Sequence, residues 1–191
     1  SRFLLISTRH DNERMSLVMP HPDNVLFQGE KPFPILPAVD HYAGSEKLMR
    51  KALALQHELG PVFDITFDCE DGAHAGAEAE HATMAASLIM SGDNRFGRVG
   101  ARIHDITHPH WERDVDILVS QAGERLAFLT LPKSRSVADA ALQIESIRSA
   151  EERNSVERAI PVHVLIETHG ALRDAWDIAA LDRVESLDFG L

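Results

Sequence analysis

The sequence contains few cysteines, fewer basic than acidic residues and no long apolar run, and each of these properties limits the possible functions. Cys69 is its single cysteine, so an intrachain disulfide is impossible and a reducing compartment such as the cytoplasm is expected. Lysine and arginine number 19 against 30 aspartate and glutamate residues, which gives a formal net charge of -11. Nucleic acid and membrane surfaces are therefore disfavoured as partners, because both attract basic proteins. No apolar run reaches the ~18 residues that a membrane-spanning helix needs.

Several motifs of known chemistry are also missing. The Gly-x-Ser-x-Gly motif of serine hydrolases does not occur, and neither does the His-Glu-x-x-His motif of zinc proteases. Zinc is disfavoured, because Cys69 stands alone and the histidines show no tight ligand spacing. An anionic substrate would then need a local cation, which a bound metal or a well-placed arginine supplies.

The chain divides into two predicted regions. Residues 1–32 contain scattered prolines and are predicted to form an irregular N-terminal arm. Residues 33–191 alternate short apolar runs with segments of helical period, which predicts a parallel sheet with crossover helices. The predicted strands cover residues 35–39, 62–68, 99–103, 128–131, 161–166 and 187–190. The predicted helices cover about residues 46–59, 77–90, 111–121, 136–153 and 171–180.

The spacing of the predicted strands indicates the fold class. Strand starts lie about 26 to 37 residues apart, close to one βα unit of an eight-fold barrel of roughly 250 residues. We therefore expect an α/β fold, a (β/α)8 TIM barrel that is incomplete, with about six βα units and the closing C-terminal units absent. An open doubly wound sheet is the alternative, although no Gly-rich phosphate loop follows the first predicted strand.

The predicted strand ends are strongly polar. In a barrel the active site lies at the C-terminal ends of the strands. These ends carry Asp40 and His41; Asp68, Glu70 and Asp71; Arg102, His104 and Asp105; Lys133; and Glu167, Thr168 and His169. The three histidines could carry protons, bind substrate or simply form hydrogen bonds within loops.

The carboxylates among these residues need neutralising partners. Three of them lie within residues 68–71, and Glu167 ends an otherwise apolar strand, where an unpaired carboxylate is costly. Mg2+ accepts one or two carboxylates together with substrate oxygens and waters, which suits this set. A purely structural alternative remains open, in which Asp71 caps its loop, Glu70 pairs with Arg102 or Lys133, and Glu167 pairs with Arg102.

Five short motifs follow one another along these strand ends. They are Phe67-Asp68-Cys69-Glu70-Asp71-Gly72, Ala101-Arg102-Ile103-His104, Leu131-Pro132-Lys133-Ser134, Leu165-Ile166-Glu167-Thr168-His169-Gly170 and Leu187-Asp188-Phe189-Gly190-Leu191. In this order and spacing they resemble the citrate lyase β-subunit-like branch of the HpcH/HpaI aldolases. The resemblance covers the chain from about residue 35 to its end.

The resemblance implies a Mg2+-dependent carbon–carbon lyase that acts on a β-hydroxy acid or its coenzyme A thioester, of citryl, malyl or citramalyl type, through a metal-stabilised enolate. It makes Glu167 a metal ligand and puts the second ligand beyond Leu191. It also implies a homo-oligomer, a trimer or hexamer.

The resemblance also assigns roles to the other polar residues. Arg102 would hold the substrate carboxylate or the enolate, and Glu70 and Asp71 would take part in catalysis by orienting Arg102 or metal-bound water. We further expect His41 and Lys133 to contact substrate, with Lys133 paired to a carboxylate rather than acting as a Schiff-base lysine.

Two departures from the family pattern leave other functions open. Residues 35–42 lack the basic residue and the Phe-Val-Pro-Gly-like strand exit of the family, and His104 stands where asparagine is common. The thioester substrate is therefore an open question. A malyl-type thioesterase on the same barrel and a catalytically silent barrel subunit are the alternative functions.

Overall fold

Six parallel strands in sequential order form the sheet of the structure, a computed structural model that describes residues 36–189. They are β1 (Asp40–Ala43), β2 (Asp64–Asp68), β3 (Val99–Arg102), β4 (Leu129–Leu131), β5 (Val162–Leu165) and β6 (Val184–Asp188). Each strand pairs in parallel with the next one along the chain. This order requires winding in one direction, as in a barrel, whereas a doubly wound sheet reverses direction at a switch point.

Helices connect the strands. They are α1 (Glu46–Leu59), α2 (Glu78–Met90), α3 (Trp111–Ala122), α4 (Val137–Asn154), α5 (His169–Arg173) and α6 (Ala175–Ala179). Ser45 caps α1 by accepting a hydrogen bond from the N–H of Leu48, and Ser136 caps α4 in the same way. Among residues 36–189, no helix combines the length and the apolar character required to cross a membrane.

The strands present an apolar face to the helices. Alternate residues of the central strands, such as Ile65, Phe67 and Val99, are fully buried in the hydrophobic core. They pack with apolar helix residues that include Ala85 and Leu118. Burial of this face drives assembly of the sheet and helices, since each apolar Å² removed from water contributes about 25 cal/mol.

The opposite face of the sheet is polar and curls inward. Asp40 in β1, His163 in β5 and Asp188 in β6 each offer a ligand atom, and these atoms lie within 4.8 Å of one another. Because β1 and β6 are the first and last of the described strands, only a strongly curved sheet brings their side chains together. The prediction of an incomplete (β/α) barrel is confirmed, and the open-sheet alternative is wrong.

The structure differs from the sequence prediction in two elements. The first strand was expected at residues 35–39 but lies at Asp40–Ala43, because the polar residues of this strand face the barrel interior instead of ending the strand. Residue 35 and the predicted arm, residues 1–32, lie outside the described part of the chain. The last predicted helix is split at Asp174, whose backbone leaves the helical conformation and whose carboxylate accepts a hydrogen bond from the N–H of Val137.

Candidate active site

Arg102, at the end of β3, is the centre of a cluster of charged residues. Its Nε and Nη2 atoms donate to the two carboxylate oxygens of Asp68 at 2.9 and 2.7 Å. Nη2 also donates to Asp71 at 2.7 Å, and Nη1 lies 3.0 Å from Glu70. The guanidinium lies over the Tyr42 ring, 5.3 Å from its centroid. Arg102 is therefore fixed by three carboxylates and an aromatic face, with most of its N–H groups engaged.

Lys133 connects this cluster to the next two strands. Its ammonium lies 2.8 Å from Oε1 of Glu70, and its backbone N–H donates to Oε1 of Glu167 at 2.8 Å. Lys133 adopts a φ of 49°, a conformation uncommon for residues other than glycine. The turn after β4 thus aims both the side chain and the N–H of one residue at carboxylates from β2 and β5.

The loop after β2 is held in place by two close backbone contacts. Asp68 Oδ1 accepts hydrogen bonds from the N–H groups of Glu70 and Asp71 at 3.1 and 3.3 Å. A Cβ atom at Gly72 would lie 2.2 Å from the carbonyl oxygens of Asp68 and Gly44. Only glycine fits there, so this residue lets the acidic loop fold back over the end of its strand. The loop cap expected from Asp71 is supplied instead by Asp68.

A second glycine positions the loop that carries Glu167. A Cβ atom at Gly170 would lie 1.8 Å from the carbonyl oxygen of Arg135, in the loop that follows β4. Thr168 caps α5 and also donates to the carbonyl of Ser134 at 2.5 Å. The loops after β4 and β5 are thereby packed together, which explains how Lys133 reaches Glu167.

The charges of the cluster determine its protonation states. Burial would lower the pKa of Arg102, but the bound Asp68 carboxylate outweighs this effect and raises it. The Glu70 carboxylate raises the pKa of Lys133, so the ammonium stays protonated. Burial raises the pKa of Glu70, although the bond to Lys133 opposes this shift. Both cations therefore keep their charge at neutral pH.

The cluster has an excess of negative charge when all of its members are ionised. Its four carboxylates (Asp68, Glu70, Asp71 and Glu167) face two cations (Arg102 and Lys133). Glu167 is exposed and, within residues 36–189, forms no ion pair. The salt bridge between Glu167 and Arg102 considered in the sequence analysis is absent from this described part of the chain. An exposed carboxylate that forms no ion pair is available to bind a hard divalent cation.

Three histidines from the predicted strand ends lie outside this cluster. His41 is exposed on β1 and packs edge-on against Phe63 at 6.0 Å, so the expectation that it follows the first strand at the site is wrong. His104 is buried, with Nδ1 2.5 Å from Asp114 Oδ2. Burial would lower the pKa of His104, but the Asp114 carboxylate raises it. His169 is exposed at the start of α5.

Two polar residues within the strands were not predicted as site residues from the sequence. His163 and Asp188 lie with Asp40 on the interior face, although their strands were identified only by their apolar residues. Polar residues recur at every second position, as in Asp64-x-Thr66-x-Asp68. This period of two could have identified an interior polar face.

No family model matches the chain, but curated and solved proteins do. A citrate lyase from Burkholderia xenovorans LB400 is 54% identical, with a TM-score of 0.78, and the match covers 84% of this chain and 50% of that one. An L-malyl-CoA/β-methylmalyl-CoA lyase from Cereibacter sphaeroides is 25% identical over 127 residues, which are 66% of this chain and 40% of that protein.

A more distant structure shares the fold. The CitE protein of Mycobacterium tuberculosis, solved in complex with magnesium and pyruvate, is 18% identical, with a TM-score of 0.54. That match covers 81% of this chain and 54% of the other. The present chain therefore spans about half the length of these structures and 40% of the matching curated lyase.

Proposed function

The chain belongs to the citrate lyase β-subunit-like branch of the HpcH/HpaI aldolases, and on this premise we propose that its protein is a Mg2+-dependent carbon–carbon lyase. The substrate class is a β-hydroxy acid or its coenzyme A thioester. The observation that carries the proposal is the joining of four strand ends through Arg102 and Lys133, with Glu167 left exposed at the edge of the cluster.

Glu167 is the proposed metal ligand within this chain. Its Oε1 atom accepts the N–H of Lys133, which orients the carboxylate. The second ligand is proposed to lie beyond Leu191. Bound Mg2+ would supply the positive charge that stabilises an enolate oxygen. The matching lyases named above and the magnesium complex of the distant relative are consistent with this chemistry, but the donor set of this chain is the reason for choosing a hard cation.

Arg102 is proposed to bind the substrate carboxylate or the developing enolate. Asp71 is the partner that can give way, because its side chain is 69% exposed whereas those of Asp68 and Glu70 are nearly buried. Its departure would free one Nη2–H beside the remaining free Nη1–H. These two donors would face the substrate while Asp68 keeps the guanidinium in place.

The cleavage follows from these positions. A carboxylate of the cluster, for which the exposed Asp71 is the proposed candidate, accepts the proton of the β-hydroxyl group. The hydroxyl oxygen then forms a carbonyl as the carbon–carbon bond breaks, and the electron pair of that bond passes to the enolate of the other fragment. That enolate then takes up a proton. Donors aimed at the enolate oxygen accelerate the step, because they bind the transition state more tightly than the ground state.

Lys133 is proposed to position Glu70 and to contribute positive charge. A Schiff-base mechanism needs a neutral amine, whereas the raised pKa of Lys133 and its 2.8 Å contact with Glu70 keep it an ammonium. The buried Glu70 in turn orients Arg102 on one side and Lys133 on the other.

Metal titration tests the proposal. Mg2+ binding would be measured by calorimetry, with and without pyruvate or oxaloacetate, on the 191-residue chain and on a chain that continues past Leu191. We expect tight, substrate-enhanced binding in the longer chain and weak binding in the shorter one. Absence of Mg2+ binding in both would overturn the lyase proposal and favour a silent barrel.

Product analysis separates the lyase from a thioesterase. With a malyl-type thioester, the longer chain is expected to release a keto acid such as glyoxylate together with the shorter thioester. Release of the free hydroxy acid and coenzyme A alone would instead identify a thioesterase.

A further inference from the structure

We propose that Asp40, His163 and Asp188 form a second metal site, inside the barrel, that binds a divalent transition-metal ion. One potential ligand atom of each residue lies within 4.8 Å of the other two. The three come from β1, β5 and β6, and none belongs to the Arg102 cluster. A site built on three strands is rigid, which favours defined coordination.

The free atoms of the three residues converge, and His163 Nδ1 lies 3.6 Å from Asp188 Oδ2, just beyond hydrogen-bond distance. Asp40 Oδ1, His163 Nδ1 and Asp188 Oδ2 are buried, and none has a hydrogen-bond partner among residues 36–189. The His163 side chain is only 4% exposed, so bulk solvent has little access to it. When the proton of His163 is on Nε2, Nδ1 is an acceptor, and three acceptors facing one another repel unless a cation lies between them.

The other polar atom of each residue is already held by the protein. Thr66 donates to Asp40 Oδ2 at 2.6 Å, and Ser186 donates to Asp188 Oδ1 at 2.7 Å. Each side chain therefore has one anchored atom and one free atom. Metal ligands show this arrangement, because outer hydrogen bonds orient the ligand and fix its protonation.

Glu185 completes this pattern at His163. His163 Nε2 lies 3.2 Å from Glu185 Oε2, so an Nε2–H that donates to this carboxylate leaves the lone pair of Nδ1 free for a metal. A β-bulge lies at this point, since Val162 pairs with Val184 but His163 pairs with Ser186. Glu185 is thus the extra residue of β6, and bulges commonly redirect a side chain next to a functional site.

The donor set indicates the class of metal. Two carboxylates and one imidazole suit Zn2+, Mn2+ or Fe2+, whereas Mg2+ strongly prefers oxygen ligands. Within the described part of the chain, no lysine or arginine pairs with Asp40 or Asp188. Arg98 forms two hydrogen bonds with Asp64 instead.

Metal binding to the 191-residue chain tests the site. Zn2+ affinity would be measured by calorimetry, and Co2+ would serve as an absorption probe of coordination by nitrogen and oxygen. We expect one tight site. Asp188→Asn, Asp40→Asn and His163→Gln should each weaken Zn2+ affinity at least tenfold, and Glu185→Gln about tenfold through loss of orientation.

Two controls separate this site from others. Glu167→Gln removes the proposed Mg2+ ligand and should leave Zn2+ affinity unchanged. The Zn2+ measurement therefore tests the second site even if the lyase proposal fails. His74→Gln, at an exposed histidine, monitors metal on surface histidines. The asparagine variants keep the shape of aspartate, and far-UV circular dichroism would confirm that they fold. No tight Zn2+ site, or equal affinity in all variants, would overturn the proposal.

Discussion

Arg102 and Asp68 repeat, at the carboxyl ends of β2 and β3, an ion pair that Arg98 and Asp64 form at the amino ends of the same strands. In each pair the arginine donates to both carboxylate oxygens of the aspartate, and Asp68 and Arg102 are also register partners in the sheet. The two pairs have the same chemistry but different surroundings. Of the two arginines, only Arg102 also contacts Glu70 and Asp71. Only the pair at the carboxyl ends of the strands therefore belongs to the candidate active site.

This repetition allows a matched test of catalytic and structural roles. Asp68→Asn removes the charge that holds Arg102, and we expect the kcat/KM of the chain that continues past Leu191 to fall about 100-fold, because the guanidinium loses its position. Asp64→Asn removes the same kind of contact from Arg98 and should leave kcat/KM unchanged. Both variants should lose a similar amount of stability, about 1–3 kcal/mol in urea unfolding. Equal losses of kcat/KM would refute a special role for the Arg102 pair.

Glu167 provides a test of metal binding that does not depend on stability. Glu167→Gln should weaken Mg2+ affinity at least tenfold in the longer chain, because the ligand loses its charge. The free energy of unfolding without metal should change by no more than about 0.5 kcal/mol, since the side chain is exposed. Glu145→Gln, an exposed glutamate on α4, is the control and should change neither quantity. An unchanged Mg2+ affinity in Glu167→Gln would remove Glu167 from the proposed site.

Gly72 is expected to be essential for the shape of the acidic loop. Gly72→Ala would place a methyl group 2.2 Å from two carbonyl oxygens, so the loop must move away from Gly44. We expect a loss of about 1–3 kcal/mol in unfolding free energy and weaker pyruvate binding. Gly92→Ala meets no atom within 4 Å and should be neutral in both measurements. A fully stable Gly72→Ala variant with normal binding would show that the loop tolerates displacement.

The buried pair of His104 and Asp114 predicts a pH-dependent contribution to stability. The pKa of His104 is raised in the folded protein, so the pair stabilises the fold fully below the unfolded pKa of about 6.5, and this contribution is lost as pH rises through the folded pKa. Asp114→Asn should therefore cost about 1–3 kcal/mol more at about pH 5.5 than at about pH 8.5.

Urea unfolding at the two pH values measures this difference. Asp116→Asn serves as the control, because its partner Arg153 lies on the surface and keeps its charge at both pH values. A cost for Asp114→Asn that is the same at both pH values would mean that His104 stays neutral in the folded protein.

Local patterns in the sequence were sufficient for most elements. The helix predicted at residues 46–59 is α1, which Ser45 and Gly60 bound, and the apolar runs located β2 to β6 within a few residues. The exception, β1, failed because its apolar segment precedes the strand, while its interior residues Asp40 and Tyr42 are polar. The sequence of a single strand does not show which of its faces will pack against polar neighbours in the sheet. The apolar pattern therefore favoured residues 35–39 over the strand itself.

The sequence by itself determined the βα alternation and the motifs at the strand ends. It also placed five polar residues at the same edge of the sheet: Arg102, Glu70, Asp71, Lys133 and Glu167. These follow from local periodicity and from the rule that parallel strands end at the same edge. Only the tertiary structure decided which charges meet. It engaged Arg102 with three carboxylates, excluded His41, and brought Asp40 and Asp188 together across the barrel. The physical reason is that sheet curvature and the bulge at Glu185 depend on packing between distant segments, which no local pattern specifies.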